Sequence, residues 1–342
     1  MRKIIVFITA VGIVSALVAM NGTYFSARGE NIFHLFANEK VRFPSTEDVA
    51  GQIKFEPFVM EDRSLTSGFV PQLKEYAPLL SIPSAHASVI LDVDSGKVLY
   101  AQNPDAERQI ASLTKLFTAT IVMERIKDLD ELVTIDEEAV YADGTRVGCP
   151  RSGVCTGERL KIGEQLTVRD LLKAALMNSG NDAAIALGKH IGKTQDGFAK
   201  IMNERAKELG LTHSHFCTPS GLEPDGRETQ CYSSAFDVAK IAAHALEFPK
   251  IWEIMRLDKQ IITSNDGKWN HEIFNTDQLL GQLPNLIGTK TGFTPLAGYS
   301  LLAVATDQSQ SHRVVAVLLD DPYRWQNIQS MFGWSFQAID WK

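Results

Sequence analysis

The chain has 342 residues, of which 44% are hydrophobic and 22% charged, so it is long enough for one large or two modest globular domains. Its 41 acidic side chains outnumber its 34 basic ones, which gives a formal net charge of −7. Neither this balance nor the scattered Lys and Arg residues provide the basic surface with which a nucleic-acid-binding protein displaces counterions from phosphates. We therefore expect no nucleic-acid partner.

The N-terminus has the pattern of an export signal. "MRK" is followed by 17 uncharged, mostly apolar residues at positions 4–20. This length is short for a membrane span and slightly long for a signal-peptide core, and no clear small-x-small cleavage site follows it. We interpret residues 1–20 as an uncleaved membrane anchor that leaves the rest of the chain on the extracytoplasmic face. Cleavage as a signal sequence, which would give a secreted or periplasmic protein, is the alternative.

The four cysteines fit an oxidising compartment outside the cytoplasm. Cys149 lies six residues before Cys155, and Cys217 lies fourteen before Cys231, so two local disulfides are the economical choice among three pairings. Free thiols remain an alternative. A zinc site is disfavoured because the chain lacks C-x-x-C and because His271-Glu272 lacks the second histidine of H-E-x-x-H. We expect no metal ion and no cofactor.

The folded part of the chain begins after a long irregular stretch. Residues 21–80 show no sustained periodicity and predict a tether, or an arm packed on a domain that spans 81–342. At the start of this domain, "SVILDVDSGKVLYAQN" alternates on both sides of Asp94-Ser95-Gly96, which predicts a β-hairpin with turn residues at its centre.

Helical and strand patterns then follow one another. Apolar spacing predicts a helix after Ser112, and Thr167 with Asp170 makes a capping-box-like start for one helix over residues 168–192. Further segments predict a helix at 235–246, strands at 297–307 and 312–321, and a closing helix at 324–339. Strands at both ends of the domain with helices between them indicate an α+β fold with an antiparallel sheet.

Three short motifs carry the chemistry. Ser112-x-x-Lys115 opens the first helix, Ser179-Gly180-Asn181 lies within the second, and Lys290-Thr291-Gly292 stands just before a strand. An isolated S-x-x-K is expected about once in a chain of this composition and proves little. The three motifs in this order are far rarer, and they form the set found in penicillin-binding proteins and serine β-lactamases.

With these motifs the chain resembles the D-alanyl-D-alanine carboxypeptidases of the low-molecular-weight penicillin-binding type, serine peptidase family S11. The resemblance covers roughly residues 85–337 and includes "IASLTKLFTA", "LLKAALMNSGNDAAIALG", "PSGL", "FNTDQLL" and "IGTKTGFTPLAGYSLLAVA". It implies a β-lactamase/DD-peptidase-like fold, in which an antiparallel sheet packs against a cluster of helices, and a catalytic domain at 81–342. It also implies that peptidoglycan stem peptides are the substrate and β-lactams the inhibitors.

The chemistry of acyl transfer explains these residue types. A serine hydroxyl is a weak nucleophile, so Ser112 needs a nearby base, and Lys115 lies one helical turn away. A lysine serves as base only when burial and a second cation lower its pKa, and Lys290 could supply that cation. We expect Ser179 to relay a proton to the leaving amine, and Asn181 to hold Lys115 and a substrate amide.

The third motif is expected to bind the substrate. Lys290 and Thr291 can hold the terminal carboxylate, and Gly292 can let the substrate backbone approach the strand. By resemblance, the oxyanion hole comes from the backbone N–H groups of Ser112 and Phe293. Arg324 is a further candidate for the carboxylate, although a surface arginine at a helix start is common.

The motifs leave several functions open. A D-Ala-D-Ala carboxypeptidase is the leading interpretation, and a DD-endopeptidase that cuts peptidoglycan cross-links would use the same residues. A wall-binding or sensing protein without turnover is the non-enzymatic alternative. A β-lactamase is disfavoured because no E-x-x-L-N motif occurs in 182–289. The family's best-known members continue into a β-rich second domain and a C-terminal amphipathic anchor, so here we expect anchoring through the N-terminus.

Overall fold

The computed structural model describes residues 70–150, 154–155, 157–283 and 285–342. The predicted anchor or signal sequence at 1–20 and the tether up to residue 69 lie outside these ranges. Within them, none of the helices combines the length and the apolar character that a membrane crossing requires.

The centre of the domain is a five-stranded antiparallel sheet in the order β3-β2-β10-β9-β8. Three two-stranded sheets accompany it, namely β1 with β11, β4 with β5, and β6 with β7. The strands are β1 (Pro71–Leu73), β2 (Ala87–Asp92), β3 (Val98–Gln102), β4 (Leu132–Thr134), β5 (Gln165–Thr167), β6 (Lys259–Thr263), β7 (Asn270–Phe274), β8 (Leu286–Thr294), β9 (Gly298–Thr306), β10 (Arg313–Leu319) and β11 (Ile339–Trp341). The hairpin predicted around Asp94-Ser95-Gly96 is confirmed by the pairing of β2 with β3.

The helices lie on both faces of this sheet. They are α1 (Thr114–Arg125), α2 (Glu137–Val140), α3 (Val168–Leu176), α4 (Asn181–Gly192), α5 (Gln195–Glu208), α6 (Ala235–Ala245), α7 (Pro249–Met255) and α8 (Arg324–Ala338). The helices predicted at 235–246 and 324–339 and the strands predicted at 297–307 and 312–321 are confirmed within one or two residues. The predicted N-cap of α3 is also confirmed, since the Thr167 hydroxyl accepts the Asp170 N–H at 3.1 Å.

Strand alternation divides the interior into two cores. In β2, Val89 and Leu91 face the larger core, which contains the buried sides of α1 and α3 to α7. Ile90, between them, faces a second core under α8. Because successive strand side chains point to opposite faces, a strand covered on both sides is a continuous apolar run, as "VVAVLL" in β10 is. The family-type α+β architecture with a sheet against a helical cluster is therefore confirmed.

Two details of the sequence interpretation are wrong. The helix predicted over 168–192 is interrupted after Leu176 and restarts at Asn181. Ser179 has φ +58° and Gly180 is extended, so two consecutive residues leave the helical region of backbone space. The Lys290-Thr291-Gly292 motif lies inside β8 rather than before a strand. Its residues are polar or glycine, so they lack the apolar alternation from which a strand is predicted, even though Lys290 and Gly292 are buried.

Both predicted disulfides are present, Cys149–Cys155 and Cys217–Cys231. The last residues of the predicted tether lie against the end of the domain: β1 pairs with β11, and the Trp334 indole N–H donates to the Pro78 carbonyl at 2.7 Å. The boundary between tether and catalytic domain at residues 80 and 81 stays a prediction.

Candidate active site

The three motifs meet at a cleft between the helical cluster and the sheet. Ser112 lies in a 3₁₀ turn, Ala111–Leu113, that leads directly into α1. Ser179 lies in the link between α3 and α4, and the third motif lies on β8, the strand at one edge of the five-stranded sheet. The cleft has a volume of about 240 Å³ and is lined by Ser112, Thr145, Pro150, Asn178, Ser179, Thr276, Gln278, Thr291, Gly292, Phe293, Arg324 and Trp325.

Gly292 allows β8 to approach the turn that carries Ser112. A Cβ atom at this position would lie 2.7 Å from the Ile110 carbonyl oxygen and 3.2 Å from Cγ of Leu113. Ordinary Cβ contacts are longer, so any side chain here would separate the strand from the nucleophile's turn. Gly292, which was expected to let the substrate backbone approach, thus also lets β8 approach the turn of Ser112.

Lys115 is fully buried and has three hydrogen-bond partners. Its Nζ lies 2.8 Å from Ser112 Oγ, 2.6 Å from Asn181 Oδ1 and 2.7 Å from the Ser220 carbonyl oxygen. The last two groups can only accept hydrogen bonds. A neutral amine has two N–H donors and one lone pair, so donating to these two acceptors leaves the lone pair directed at Ser112 Oγ. This arrangement suits a base that takes the serine proton.

Electrostatics favour the neutral form of Lys115. Burial lowers its pKa well below the ordinary value of 10.5, and the nearby charge of Lys290 lowers it further, while Asp182 opposes the shift. The Asp182 carboxylate is itself buried and accepts the N–H groups of Val147 and Ala183, each at 2.9 Å. Burial raises its pKa to about 6. The electrostatic condition predicted for a lysine base is thus present.

Asn181 links Lys115 to the wall of the cleft. Its Oδ1 accepts from the lysine, its Nδ2 donates to the Asp143 carbonyl at 2.7 Å, and its backbone N–H donates to the Thr145 carbonyl at 2.8 Å. The predicted contact between Asn181 and Lys115 is therefore observed. The further role of holding a substrate amide stays a prediction.

The second lysine lies beside the relay serine. Lys290 is 1% exposed, and its Nζ donates to Ser179 Oγ at 3.0 Å and to the Thr291 carbonyl at 3.0 Å. Burial lowers the pKa of Lys290 to about 7. The Thr291 hydroxyl lies 3.0 Å from the hydroxyl of Thr276, a residue of the "FNTDQLL" segment. The Lys290 amine and the Thr291 hydroxyl belong to adjacent residues of β8, and both are groups that can bind a carboxylate.

Arg324 and Phe293, both named from the sequence, line the same cleft. The Arg324 guanidinium stands over the Tyr299 ring at 4.7 Å from its centroid and over the Trp325 ring at 5.3 Å. The Phe293 ring lies 4.6 Å from that of Tyr299. Both residues thus lie at the cleft. The oxyanion role of the Phe293 N–H and the carboxylate role of Arg324 remain predictions.

Two groups of the site were missed by sequence reasoning. The Ser220 carbonyl is a backbone group and leaves no residue-type signature, although Gly221, in the quoted "PSGL", has φ +80° and marks a tight turn there. Asp182 directly follows the second motif, and its charge contributes to the field at Lys115. Gly221 could have indicated the turn that presents the Ser220 carbonyl. An acidic residue at the start of an apolar helix could have indicated Asp182.

These features match the arrangement expected of a serine hydrolase in which a buried lysine takes the place of the usual histidine base. The comparison with known proteins gives the family. The sequence model of the family described as D-alanyl-D-alanine carboxypeptidase, peptidase S11, matches residues 74–323. The chain belongs to this family, as the motifs predicted.

Individual relatives agree with this assignment. The D-alanyl-D-alanine carboxypeptidase DacF of Bacillus subtilis is 34% identical over 68% of this chain, which spans 57% of that protein. A D-alanyl-D-alanine endopeptidase of Pseudomonas aeruginosa is 30% identical over 69% of this chain and 72% of its own length. The solved D-alanyl-D-alanine carboxypeptidase of Mycobacterium tuberculosis H37Rv superposes with a TM-score of 0.67 at 30% identity, covering 79% of this chain and 99% of that one.

Proposed function

We propose that this protein is a serine-type D-Ala-D-Ala carboxypeptidase that trims peptidoglycan stem peptides through an acyl-enzyme on Ser112. The observation that carries the proposal is the environment of Lys115, whose buried amine is held by two acceptors so that its lone pair faces the serine at 2.8 Å. A wall-binding protein without turnover would have no need for a base in this state.

In the proposed acylation, Ser112 Oγ attacks the carbonyl carbon between the two terminal D-alanines while Lys115 takes the hydroxyl proton. The tetrahedral oxyanion accepts hydrogen bonds from the backbone N–H groups of Ser112 and Phe293. As the C–N bond breaks, Ser179 delivers a proton to the leaving amine and is reprotonated by the proton that Lys115 took from Ser112, which leaves Lys115 neutral again. D-Alanine leaves and the peptide remains as an ester on Ser112.

Substrate orientation comes from the strand side of the cleft. A protonated Lys290 and the Thr291 hydroxyl bind the terminal carboxylate, and Arg324 adds positive charge at the same side. This arrangement explains selection for a free C-terminus, because an internal peptide bond offers no carboxylate there. Lys115 then takes a proton from a water molecule, which attacks the ester, and the proton returns to Ser112 Oγ as the ester bond breaks.

A DD-endopeptidase is the second candidate, and the relative from Pseudomonas aeruginosa bears that name. The bond broken is again next to a D-alanine carbonyl, but the leaving amine belongs to the side chain of a neighbouring stem peptide. The catalytic groups are the same for both reactions, so the leaving group that the cleft accepts distinguishes them.

Export and inhibition complete the proposal. The apolar segment at 4–20 would place the catalytic domain on the extracytoplasmic face of the cell membrane, or release it to the periplasm or medium if cleaved. The two disulfides support an oxidising compartment. β-Lactams, whose strained amide would acylate Ser112 with slow hydrolysis, would act as inhibitors.

The test is mass spectrometry of defined peptidoglycan fragments after incubation with the purified protein. Pentapeptide monomers should lose one D-alanine, whereas cross-linked dimers that separate into monomers would favour the endopeptidase. Ser112→Ala should remove both activities and covalent labelling by a fluorescent penicillin while keeping the thermal unfolding transition. Labelling of wild type without any change in the fragments would support a sensing protein, and a labelled, active Ser112→Ala protein would refute the proposal.

A further inference from the structure

One of the three partners of Lys115 comes from a loop rather than from a helix or strand. The Ser220 carbonyl accepts from Lys115 Nζ at 2.7 Å, across 105 positions of sequence. If this acceptor moved away, the amine could rotate about its last bond and its lone pair would no longer be held towards Ser112. The position of the Ser220 carbonyl is therefore part of what makes Lys115 a base for this serine.

The loop around Ser220 is packed tightly on the nucleophile's turn. Gly221 lies so close that a Cβ atom there would come within 2.0 Å of the Ala111 carbonyl oxygen. Thr218 supports the turn through its hydroxyl, which accepts the Gly221 N–H at 3.1 Å and donates to the Leu222 carbonyl at 2.8 Å. The Thr118 hydroxyl, on α1, donates to the Pro219 carbonyl at 2.7 Å. Small displacements of this loop are thus transmitted to the catalytic serine and lysine together.

A covalent link closes the loop at its base. Cys217, three residues before Ser220 and only 6% exposed, is bonded to Cys231, with the two Cα atoms 5.5 Å apart. Much of the chain between them is exposed, above all at 225–227 and 229–230. That outer part contacts the rest of the domain through bonds such as the Thr294 hydroxyl on Glu223 at 2.8 Å and the Gln109 amide on the Glu228 carbonyl at 2.8 Å. Beside the disulfide, the backbones of His215 and Tyr232 exchange two hydrogen bonds, at 2.8 and 2.9 Å. The disulfide is the covalent part of this closure and the part that lies nearer in sequence to Ser220.

We propose that the Cys217–Cys231 disulfide is a positioning element for catalysis, which holds the Ser220 carbonyl against Lys115 so that full acylation activity requires the oxidised pair. The inference rests on the proposed acyl-enzyme function. It gives the disulfide a specific task at the site, beyond general stabilisation of an exported chain. A dithiol reagent would reduce this disulfide. Two electrons and two protons pass from the reagent to the S–S bond, which becomes two thiols, and the reagent becomes a cyclic disulfide.

The proposal predicts a particular change in the pH profile. A loosened loop admits water to Lys115, and because burial is the main cause of its lowered pKa, that pKa rises. The acid limb of the acylation rate, which marks the loss of the proton from Lys115, should then move to higher pH. Loss of general stability alone would lower the unfolding temperature without moving this limb.

The experiment compares the second-order rate of acylation by a penicillin, across pH, for wild type and the double variant Cys217→Ser/Cys231→Ser. We expect the rate of the variant to fall about 10–100-fold near the wild-type acid limb, because small misplacements of catalytic groups cost this much. The control is Ile339→Ala, which removes a buried side chain from the core under α8 and lowers general stability without touching the loop or the cleft. Its acid limb should stay at the wild-type pH.

Should the double variant not fold, dithiothreitol treatment of the wild type is compared with that of Cys149→Ser/Cys155→Ser, in which Cys217–Cys231 is the pair left to reduce. Mass spectrometry of the thiols and reoxidation follow for both proteins. Activity that falls with reduction of Cys217–Cys231 and returns on reoxidation supports the proposal. A folded double variant, or a reduced wild type, with the oxidised protein's rate and pH profile overturns it. An oxidised wild type that penicillin does not acylate would instead refute the function on which the inference rests.

Discussion

At the scale of single residues, the proposed mechanism requires two buried lysines to hold opposite protonation states. As the proposed base, Lys115 has to be neutral, whereas Lys290, as the proposed carboxylate ligand, has to be charged. Burial lowers the pKa of both, but Lys115 also experiences the charge of Lys290, and its pKa is lowered well below its ordinary value. The repulsion between the two amines therefore favours a neutral Lys115 beside a protonated Lys290, as the proposed mechanism requires.

Replacing Lys115 with Arg tests its assignment as the base. Arginine stays protonated at any usable pH, so it cannot take the Ser112 proton. We expect acylation by a penicillin to fall by about 10²–10⁴-fold, the usual span for a general base. In a pH series, the wild-type rate should rise along an acid limb and the rate of the variant should stay low throughout. Similar rates for the two proteins would show that another group activates Ser112.

Lys290→Arg tests the second lysine through the dependence of kcat/KM on pH above neutrality. The pKa of Lys290 is about 7, so its amine is cationic below this pH and loses its charge above it. For a D-Ala-D-Ala peptide, the wild-type kcat/KM should therefore decline as pH rises through about 7, because the free enzyme no longer binds the carboxylate. Arginine stays charged, so the variant, whatever its absolute activity, should lack this decline. A wild-type kcat/KM that is flat between pH 6 and 9 would contradict the assignment.

At the scale of elements, the active site is made by segments that interrupt regular structure. The break between α3 and α4 turns Ser179 towards Lys290, and the tight 3₁₀ turn before α1 presents Ser112 with a φ of +49° at the preceding Ala111. These irregular backbones persist because several long-range contacts hold them, among them the Asn181 N–H bond to the Thr145 carbonyl. The helices and the sheet supply the rigid support.

Gly292→Ala should show how closely β8 must approach the turn of Ser112. The added methyl group would lie 2.7 Å from the Ile110 carbonyl oxygen, so either the strand or the turn has to move. We expect a cost of about 1–3 kcal/mol in the free energy of unfolding. We also expect the acylation rate to fall by about 10²-fold, because the nucleophile is displaced from its partners.

Gly333→Ala is the matched control for this change. It lies in α8, and its added methyl group meets nothing within 4 Å, so the same substitution there should stabilise the helix by about 0.5–1 kcal/mol and leave acylation unchanged. Equal acylation rates in Gly292→Ala and Gly333→Ala would show that the close approach of β8 has no part in catalysis.

At the scale of the whole molecule, one buried ion pair makes stability depend on pH. His271, on β7, is fully buried; its Nε2 lies 2.6 Å from Glu164 Oε1 and its Nδ1 lies 2.9 Å from the Glu158 carbonyl oxygen. Burial lowers the pKa of His271, but these two hydrogen bonds and the negative charges of Glu164 and Glu158 together outweigh it, and the pKa is raised above the ordinary 6.5. The histidine thus joins the β6–β7 hairpin to the segment before β5.

The sign of the linkage gives a prediction. A histidine whose pKa is raised on folding contributes its full stability below the unfolded value of about 6.5, and this contribution is lost as pH rises through the folded pKa. The free energy of unfolding, measured with urea between pH 5.5 and 9, should therefore decline more steeply with pH in wild type than in His271→Gln. The destabilisation caused by the substitution should be largest at the acid end. Parallel pH dependences in the two proteins would contradict this role for His271.

The sequence by itself determined the class of the fold and the residue types of the site. Periods of 2 and 3.6, turn residues such as Asp94-Ser95-Gly96 and the cap at Thr167 are encoded within a few neighbouring positions, so the hairpin and most helices could be predicted. The three motifs named Ser112, Lys115, Ser179 and Lys290, because acyl transfer requires those chemical groups in any protein that performs it in this way.

Only the tertiary structure decided how these groups act together. The Ser220 carbonyl reaches Lys115 from 105 residues away, and a backbone oxygen has no identity in a sequence. Two further features arise where separate elements pack: the break in the helix at Ser179 and the close contact of Gly292 with the turn of Ser112. The apolar pattern of one segment contains no information about the segment that packs on it. The lowered pKa of Lys115 has the same origin, because burial and the field of Lys290 exist only once the sheet and the helical cluster have come together.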